Sequence, residues 1–172
     1  MKKILLFIWE TAKIIIISLA IIIPVRYYLI QPFFVRGDSM EPNFDNGQYL
    51  VVNEIGYRID QPKREDVIVF KYPFDKSQYY IKRIIGLPGE KVEVKDGTVF
   101  INGVELNESF YLPKTTFTGG DMTINLNGGE YFVLGDNRQA SSDSRQWGIL
   151  PVTNIVGQVW LRAWPLNMAQ IF

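Results

Sequence analysis

No histidine and no cysteine occur among the 172 residues. The missing thiols exclude cysteine nucleophiles, thiolate metal sites and a disulfide scaffold, and they leave the redox compartment undetermined. The missing imidazoles exclude the Ser-His-Asp relay and argue against a zinc hydrolase. Any nucleophile must be activated by another base. A net charge is missing too: 18 basic residues balance 18 acidic ones, so nothing global points to nucleic acid or to an acidic polymer. The length suits one domain with its own core plus an accessory segment. There is no internal repeat and no low-complexity tract.

What is present begins with a strongly apolar N-terminus. The run Ile14–Ile23 is interrupted only by Ser18, and Pro24–Val35 continues it with Arg26 as the one charge. About 20 helical residues cross about 30 Å of hydrocarbon, so a transmembrane helix over 14–31 is expected, with Arg26 snorkelling at its far end. An earlier start, at Ile4, would place Glu10 and Lys13 in the bilayer. Lys2, Lys3 and Lys13 put the short N-terminal segment 1–13 in the cytoplasm by the positive-inside rule, and residues 32–172 outside. Trp9 on one side and Tyr27, Tyr28, Phe33 and Phe34 on the other suit interfacial belts. A cleavable secretory signal fits less well, because the segment lacks a small-x-small site and leads instead into PVRYYLIQPFFVRG.

Beyond Phe33 the pattern changes to short β-branched and aromatic runs separated by Gly, Pro, Asn and Asp: QYLVVNEI, DVIVFKY, QYYIKRII, KVEVKDGTVFINGVEL, GEYFVLGD and VGQVWLRAW. Asp96-Gly97 and Asn102-Gly103 are tight-turn dipeptides. The expected fold class is all-β, a mostly antiparallel folded sheet or distorted barrel, behind one N-terminal transmembrane helix. The polar stretch at about 107–129 reads as a small insert, an excursion from that core.

Three clusters carry chemistry. In Phe33–Pro42, Ser39 lies just beyond the membrane segment, and Gly37 permits close backbone approach; alone, such a serine is usually a turn residue. In Tyr79–Glu90, strand alternation puts Tyr80, Lys82 and Ile84 on one face and Ile81, Arg83 and Ile85 on the other. Only the lysine can lose its proton. An unperturbed lysine, with pKa about 10.4, holds well under ~1% neutral amine near pH 8, and burial lowers that pKa. The ordinary alternative is a lysine whose stem packs on the sheet and whose head reaches water. In Gly135–Arg145, a dense polar loop follows the apolar strand Tyr131–Leu134, either as a solvated loop or as support for a site on adjacent strands.

Together these clusters resemble type I signal peptidases, membrane-bound Ser-Lys serine proteases, in their compact Gram-positive-like form. The resemblance runs from the anchor to near the C-terminus. It rests on Gly37-x-Ser39-Met40-x-Pro42, on Tyr80–Arg83 with Gly86-x-Pro88-Gly89-Glu90, and on Gly135–Arg138 through Ser141, Asp143, Ser144 and Arg145. It implies Ser39 as nucleophile, Lys82 as general base, Ser141 orienting the lysine, and the pairs Asp136–Arg83 and Asp143–Arg145 bracing the site. It also implies that Val35, Met40, Tyr80 and Ile81 line the pocket next to the scissile bond, and that Phe33, Val35 and Ile81 line the pocket two residues back. Such shallow pockets suit cleavage after an Ala-x-Ala site. The implied activity is removal of signal peptides from exported preproteins at the cell membrane, with the bilayer as second partner and no metal or organic cofactor.

Two positions depart from that pattern. Gly37 stands where some relatives carry a serine that helps hold the oxyanion, so the hole rests on the Ser39 N–H plus a water or another backbone N–H; losing a donor outright slows such reactions about 10²–10³-fold. Asn43 stands where many relatives have threonine, which bears on the local turn. Self-cleaving repressor proteases share a similar β core but carry a DNA-binding module in place of a membrane helix. A catalytically silent, membrane-tethered binding module should lack the serine or the lysine, and both are here.

Overall fold

The computed structural model describes residues 2–28 and 30–172, with the side chains of 5 and 23–30 outside the description. The roles expected of Arg26, Tyr27 and Tyr28 therefore lie outside the described residues. Helix α1 runs from Lys2 to Tyr28, about 40 Å at 1.5 Å per residue. Its stretch Lys2–Ile22 is long and apolar enough to cross a membrane, and none of it is buried against the rest of the chain. The helix starts well before Ile14, and Glu10 and Lys13 within it pair at 2.7 Å, which makes them less costly in lipid than separate ions. It also ends sooner than position 31. Ile30 and Gln31 already belong to strand β1, Ile30–Phe34; the proline at 32 biases Gln31 toward extended backbone, and both residues pair with the next strand.

Among the described residues twelve strands follow in two antiparallel sheets, so the all-β expectation holds. The larger sheet orders β1, β2 (Tyr49–Asn53), β11 (Ile155–Trp164), β3 (Val67–Tyr72), β4 (Asp75–Gly86), β9 (Glu130–Leu134) and β10 (Leu150–Pro151), with β12 (Gln170–Ile171) also on β11. The smaller orders β7 (Val104–Glu105), β6 (Thr98–Ile101), β5 (Lys91–Lys95) and β8 (Met122–Asn125). Both expected tight turns form. Asp96 and Gly97 adopt φ of 51° and 82°, and Asn102 and Gly103 adopt 52° and 82°, the left-handed pair that a two-residue hairpin requires. Two short α-helical turns, α2 (Gly56–Ile59) and α3 (Ser144–Trp147), and two 3₁₀ turns, Val152–Asn154 and Leu166–Met168, are the other helical elements among the described residues.

The 107–129 stretch is more integrated than its polar composition suggests. It supplies β8, which pairs with β5, and it buries Leu112 and Leu126. Regular structure within it is confined to β8, with 107–121 and 126–129 as loop and turn.

Alternation along three strands builds the core on both faces of the large sheet. Val67 and Val69 of β3 join Val35, Met40, Phe44, Leu50, Val52 and Val159 in one cluster. Ile68 and Phe70, from the same strand, join Ile84, Tyr131, Val133 and Leu150 in another. Phe132 and Leu134 of β9 face the small sheet with Ile85, Val92 and Val94. β4 is thus held between β3 and β9 along its C-terminal half, and its buried end carries Lys82 and Arg83.

Candidate active site

The turn that carries Ser39 is tied at both ends. Val35 N–H donates to the Gln48 carbonyl at 2.9 Å and Gly47 N–H donates to the Val35 carbonyl at 3.0 Å. Inside this loop Gly37 takes φ = 84°, and its N–H donates to Asn46 Oδ1 at 3.1 Å. That N–H is therefore engaged and does not supply a second oxyanion donor. The Ser39 N–H, in contrast, meets no acceptor among the described residues. Met40 and Phe44 anchor the turn from below, 1% and 0% exposed. Met40, which the resemblance placed in the pocket wall, packs in the core with Val35, Phe44 and Leu50 and is not among the residues that line the cleft.

Across from this turn Lys82 is 4% exposed. Its Nζ lies 2.8 Å from Ser39 Oγ and 2.8 Å from the Ile81 carbonyl, with the Tyr80 ring centroid 5.5 Å away. Burial lowers its pKa to about 8, against the opposing pull of the Asp143 and Asp136 carboxylates. The arrangement places a readily deprotonated amine in hydrogen-bonding contact with a hydroxyl.

The polar loop 135–145 holds the two together. Asn137 N–H donates to the Ser39 carbonyl at 3.1 Å, and its side-chain amide donates to the Asp38 carbonyl at 3.1 Å. Gly135 sits between Ser39 and Ser141, where an added Cβ would lie 2.4 Å from the Ser39 carbonyl oxygen and 2.1 Å from Ser141 Oγ. Arg83 grips Asp136 with Nε–Oδ1 at 2.8 Å and Nη2–Oδ2 at 2.6 Å. Arg145 grips Asp143 in the same forked way at 2.8 Å for each bond, and Asp143 also accepts from Gly135 N–H at 3.1 Å. Both carboxylates are buried, 2% and 0% exposed, and each is matched by a guanidinium fork, the geometry that offsets desolvation best. Ser141 is buried, but its Oγ has no hydrogen-bond partner among the described residues. In this structure the lysine is oriented by Ser39 and the Ile81 carbonyl.

Several contributors were not legible in the sequence. Asn43 was read as a turn residue, yet its Nδ2 donates to Asp136 Oδ2 and to the Tyr111 carbonyl, each at 2.8 Å. Tyr111 also covers the Arg83 guanidinium at 4.1 Å. Its hydroxyl donates to Glu108 at 2.7 Å, and Glu108 binds Arg138, whose Nε donates to the Gly135 carbonyl at 3.1 Å. Residues 108–119 thus strap the polar loop in place, and Arg145 Nη1 adds a bond to the Gly119 carbonyl at 3.1 Å.

Beside the Ser39–Lys82 pair opens an apolar cleft of about 350 Å³. Phe33, Val35, Tyr80 and Ile81 line it, together with Phe34, Arg36, Leu50, Val69, Tyr79 and Ser142. Phe33 packs on Tyr79 with ring centroids 5.4 Å apart. Phe33 and Phe34, both in β1, line the cleft. No group of three or more acidic residues able to hold a metal occurs among the described residues.

The profile described as signal peptidase, peptidase S26, matches residues 8–164. A probable signal peptidase I-1 from Synechocystis is 35% identical over 168 residues, covering 94% of this chain and 85% of the relative. Signal peptidase IB from Staphylococcus aureus is 34% identical over 183 residues, covering 97% and 93%. The crystal structure of a signal peptidase I from Enterococcus faecalis superposes with a TM-score of 0.50 at 38% identity, over 59% of this chain and 98% of that one.

Proposed function

The chain belongs to the signal peptidase family, peptidase S26, and from that membership we propose that it removes N-terminal signal peptides from exported preproteins, with Ser39 as nucleophile and Lys82 as general base. Membership carries the serine-peptidase chemistry. The observation that supports the residue assignment is the 2.8 Å contact between Ser39 Oγ and a buried Lys82 Nζ. With its pKa near 8, this amine is about half neutral at pH 8, against well under ~1% for a solvated lysine.

Neutral Lys82 accepts the Ser39 proton as Oγ attacks the carbonyl carbon of the scissile bond. The negative charge that forms on the carbonyl oxygen faces the Ser39 N–H. As the C–N bond breaks, the Lys82 ammonium returns the proton to the leaving amine. Water then attacks the acyl ester and gives a proton to Lys82, which passes it to Ser39 Oγ as the ester C–O bond breaks, freeing the signal peptide and restoring the hydroxyl. Ser141, with its hydroxyl unpartnered in the free enzyme, takes up the ammonium when it forms. Asp136 and Asp143 favour that charged state, since both raise the lysine pKa.

The signal peptide lies extended between residues 33–36 and 79–82, with small side chains in the apolar cleft. Helix α1 anchors the chain in the cell membrane, its N-terminus cytoplasmic and the β domain outside, where cleavage sites of translocated preproteins emerge. A silent tethered module finds no support, because both reactive residues are present and in contact. The test is cleavage of a preprotein in detergent by wild type, Ser39→Ala and Lys82→Ala, with the cut site mapped by sequencing. Both variants should lose cleavage, and the wild type should cut after a small-x-small triplet.

A further inference from the structure

Strand β11 changes face partway along its length. Gly157 and Val159 are buried and Gln158 and Trp160 are not, so simple alternation would bury Leu161 next. Its pairing with β2 shifts register between Val159 and Leu161, and again between Arg162 and Trp164. Such a bulge re-aims the side chains beyond it, and the residue turned inward is Arg162, 8% exposed.

No carboxylate pairs with this guanidinium among the described residues. Nε donates to the Met168 carbonyl, Nη2 to Gln170 Oε1 and Nη1 to the Asn43 carbonyl, each at 2.8 Å. A buried charge without a counterion costs stability, so what Arg162 contributes is the connection it makes. One connected segment follows β11. The turn Leu166–Met168 and β12 fold back until Gln170 pairs with Arg162, and Phe172 N–H donates to the Trp160 carbonyl at 2.9 Å.

The other connected segment is the turn that begins at Ser39. Asn43 N–H and Phe44 N–H both donate to the Met40 carbonyl, at 3.0 and 2.9 Å, which closes the chain directly after the serine. Arg162 takes the Asn43 carbonyl of this turn. Phe172 covers its Phe44 with ring centroids 4.9 Å apart, and the guanidinium lies 5.6 Å from the first ring and 5.9 Å from the second.

We propose that Arg162, with the segment 165–172 folded over it, is a positioning residue for Ser39. This rests on the reading of Ser39 as the nucleophile. Asn137 holds the start of the turn through the Asp38 and Ser39 carbonyls, and Arg162 with Phe172 holds its end. Because the Asn43 side chain binds Asp136, fixing the Asn43 backbone also sets how the turn meets the ion pair beside Lys82. Arg162 does not line the cleft, so it acts on the rate and not on substrate binding.

The full chain in detergent provides the test. Arg162→Ala should lower kcat about tenfold, the scale of a lost hydrogen bond from a charged group, with KM changed less than about twofold. Arg162→Lys, which keeps the charge but cannot fork to three acceptors, should recover part of the loss. Combined with Asn43→Ala, Arg162→Ala should cost little more than the larger single effect, because both act through one turn. Amide exchange in 38–48 should rise in Arg162→Ala and in Phe172→Ala, and stay unchanged in β5 and β6. Phe172→Ala strips no partner from a buried polar group, so it gives the same readout, with a smaller fall in kcat, if Arg162→Ala fails to fold. Ile171→Ala, whose side chain is 66% exposed on the same strand, should match the wild type. Unchanged exchange in 38–48, a loss confined to KM, or additive losses in the double variant would each overturn the proposal. Exchange does not depend on cleavage, so a Ser39→Ala background should show the same rise even if the catalytic assignment fails.

Discussion

Asn43 donates a 2.8 Å hydrogen bond to the carboxylate of Asp136, 93 residues away in the sequence. Through that bond the turn carrying Ser39 is joined to the ion pair beside Lys82, because Asp136 is held by Arg83, the residue after the lysine. Asn43→Ala leaves a buried carboxylate with one partner fewer and should lower kcat/KM about tenfold, on the scale of a lost hydrogen bond to a charged group.

Asn43→Asp should act differently. A second carboxylate against Asp136 favours the ammonium form of Lys82, so the acid limb of the pH–rate profile should move to higher pH. A merely structural role for Asn43 would lower activity or melting temperature without moving that limb. Asn43→Thr, which keeps a hydrogen-bonding group, should recover part of the loss in kcat/KM.

Gly135→Ala should inactivate the enzyme while leaving it folded. Its new Cβ would lie 2.4 Å from a backbone oxygen, that of Ser39, which cannot rotate away as a flexible side chain could. The Ser39 turn must shift from Lys82, and misplacement of that order reduces rates about 100-fold. Steady-state cleavage, measured beside circular dichroism, separates the two effects.

How far the sequence carried the fold depended on the range of the interaction. The hairpins at Asp96-Gly97 and Asn102-Gly103 were legible because their left-handed dihedrals are a local demand that only a few residue types meet. Lys82 and Arg83 were legible as opposite faces of a strand for the same reason. The strap was not, since Glu108–Arg138 joins residues 30 apart in the sequence and Tyr111–Arg83 joins the 107–121 loop to strand β4. Nothing local in NESFYLP marks Tyr111 as the cover of a guanidinium. The burial of Met40 was not legible because packing against Val67, Val69 and Val159, distant in sequence, fixes it, and the end of α1 was not because apolar composition does not distinguish the last helical turn from a first strand.

Lys82 should reduce stability as well as serve catalysis. Its folded pKa, about 8, lies below the unfolded value of about 10.5. The unfolded chain therefore binds more protons between those values, and stability rises with pH across that window. The penalty is fully present below pH 8 and relieved by pH 10.5, a shift worth about 3 kcal/mol. Lys82→Met should raise the melting temperature in detergent at pH 7, and its advantage should fade toward pH 10.5. An equal advantage at both pH values would mean that the gain comes from packing alone.

The most direct measurement of the central claim, that buried Lys82 activates Ser39, is the rate of Ser39 acylation by a serine-directed acylating probe as a function of pH, without any preprotein. The wild-type rate should climb through an apparent pKa of about 8 and level off above it, and Lys82→Ala should show neither the climb nor the plateau rate. A rate independent of pH between 6 and about 10, the range spanning the shifted and free lysine, or a Lys82→Ala profile like the wild type, would contradict it.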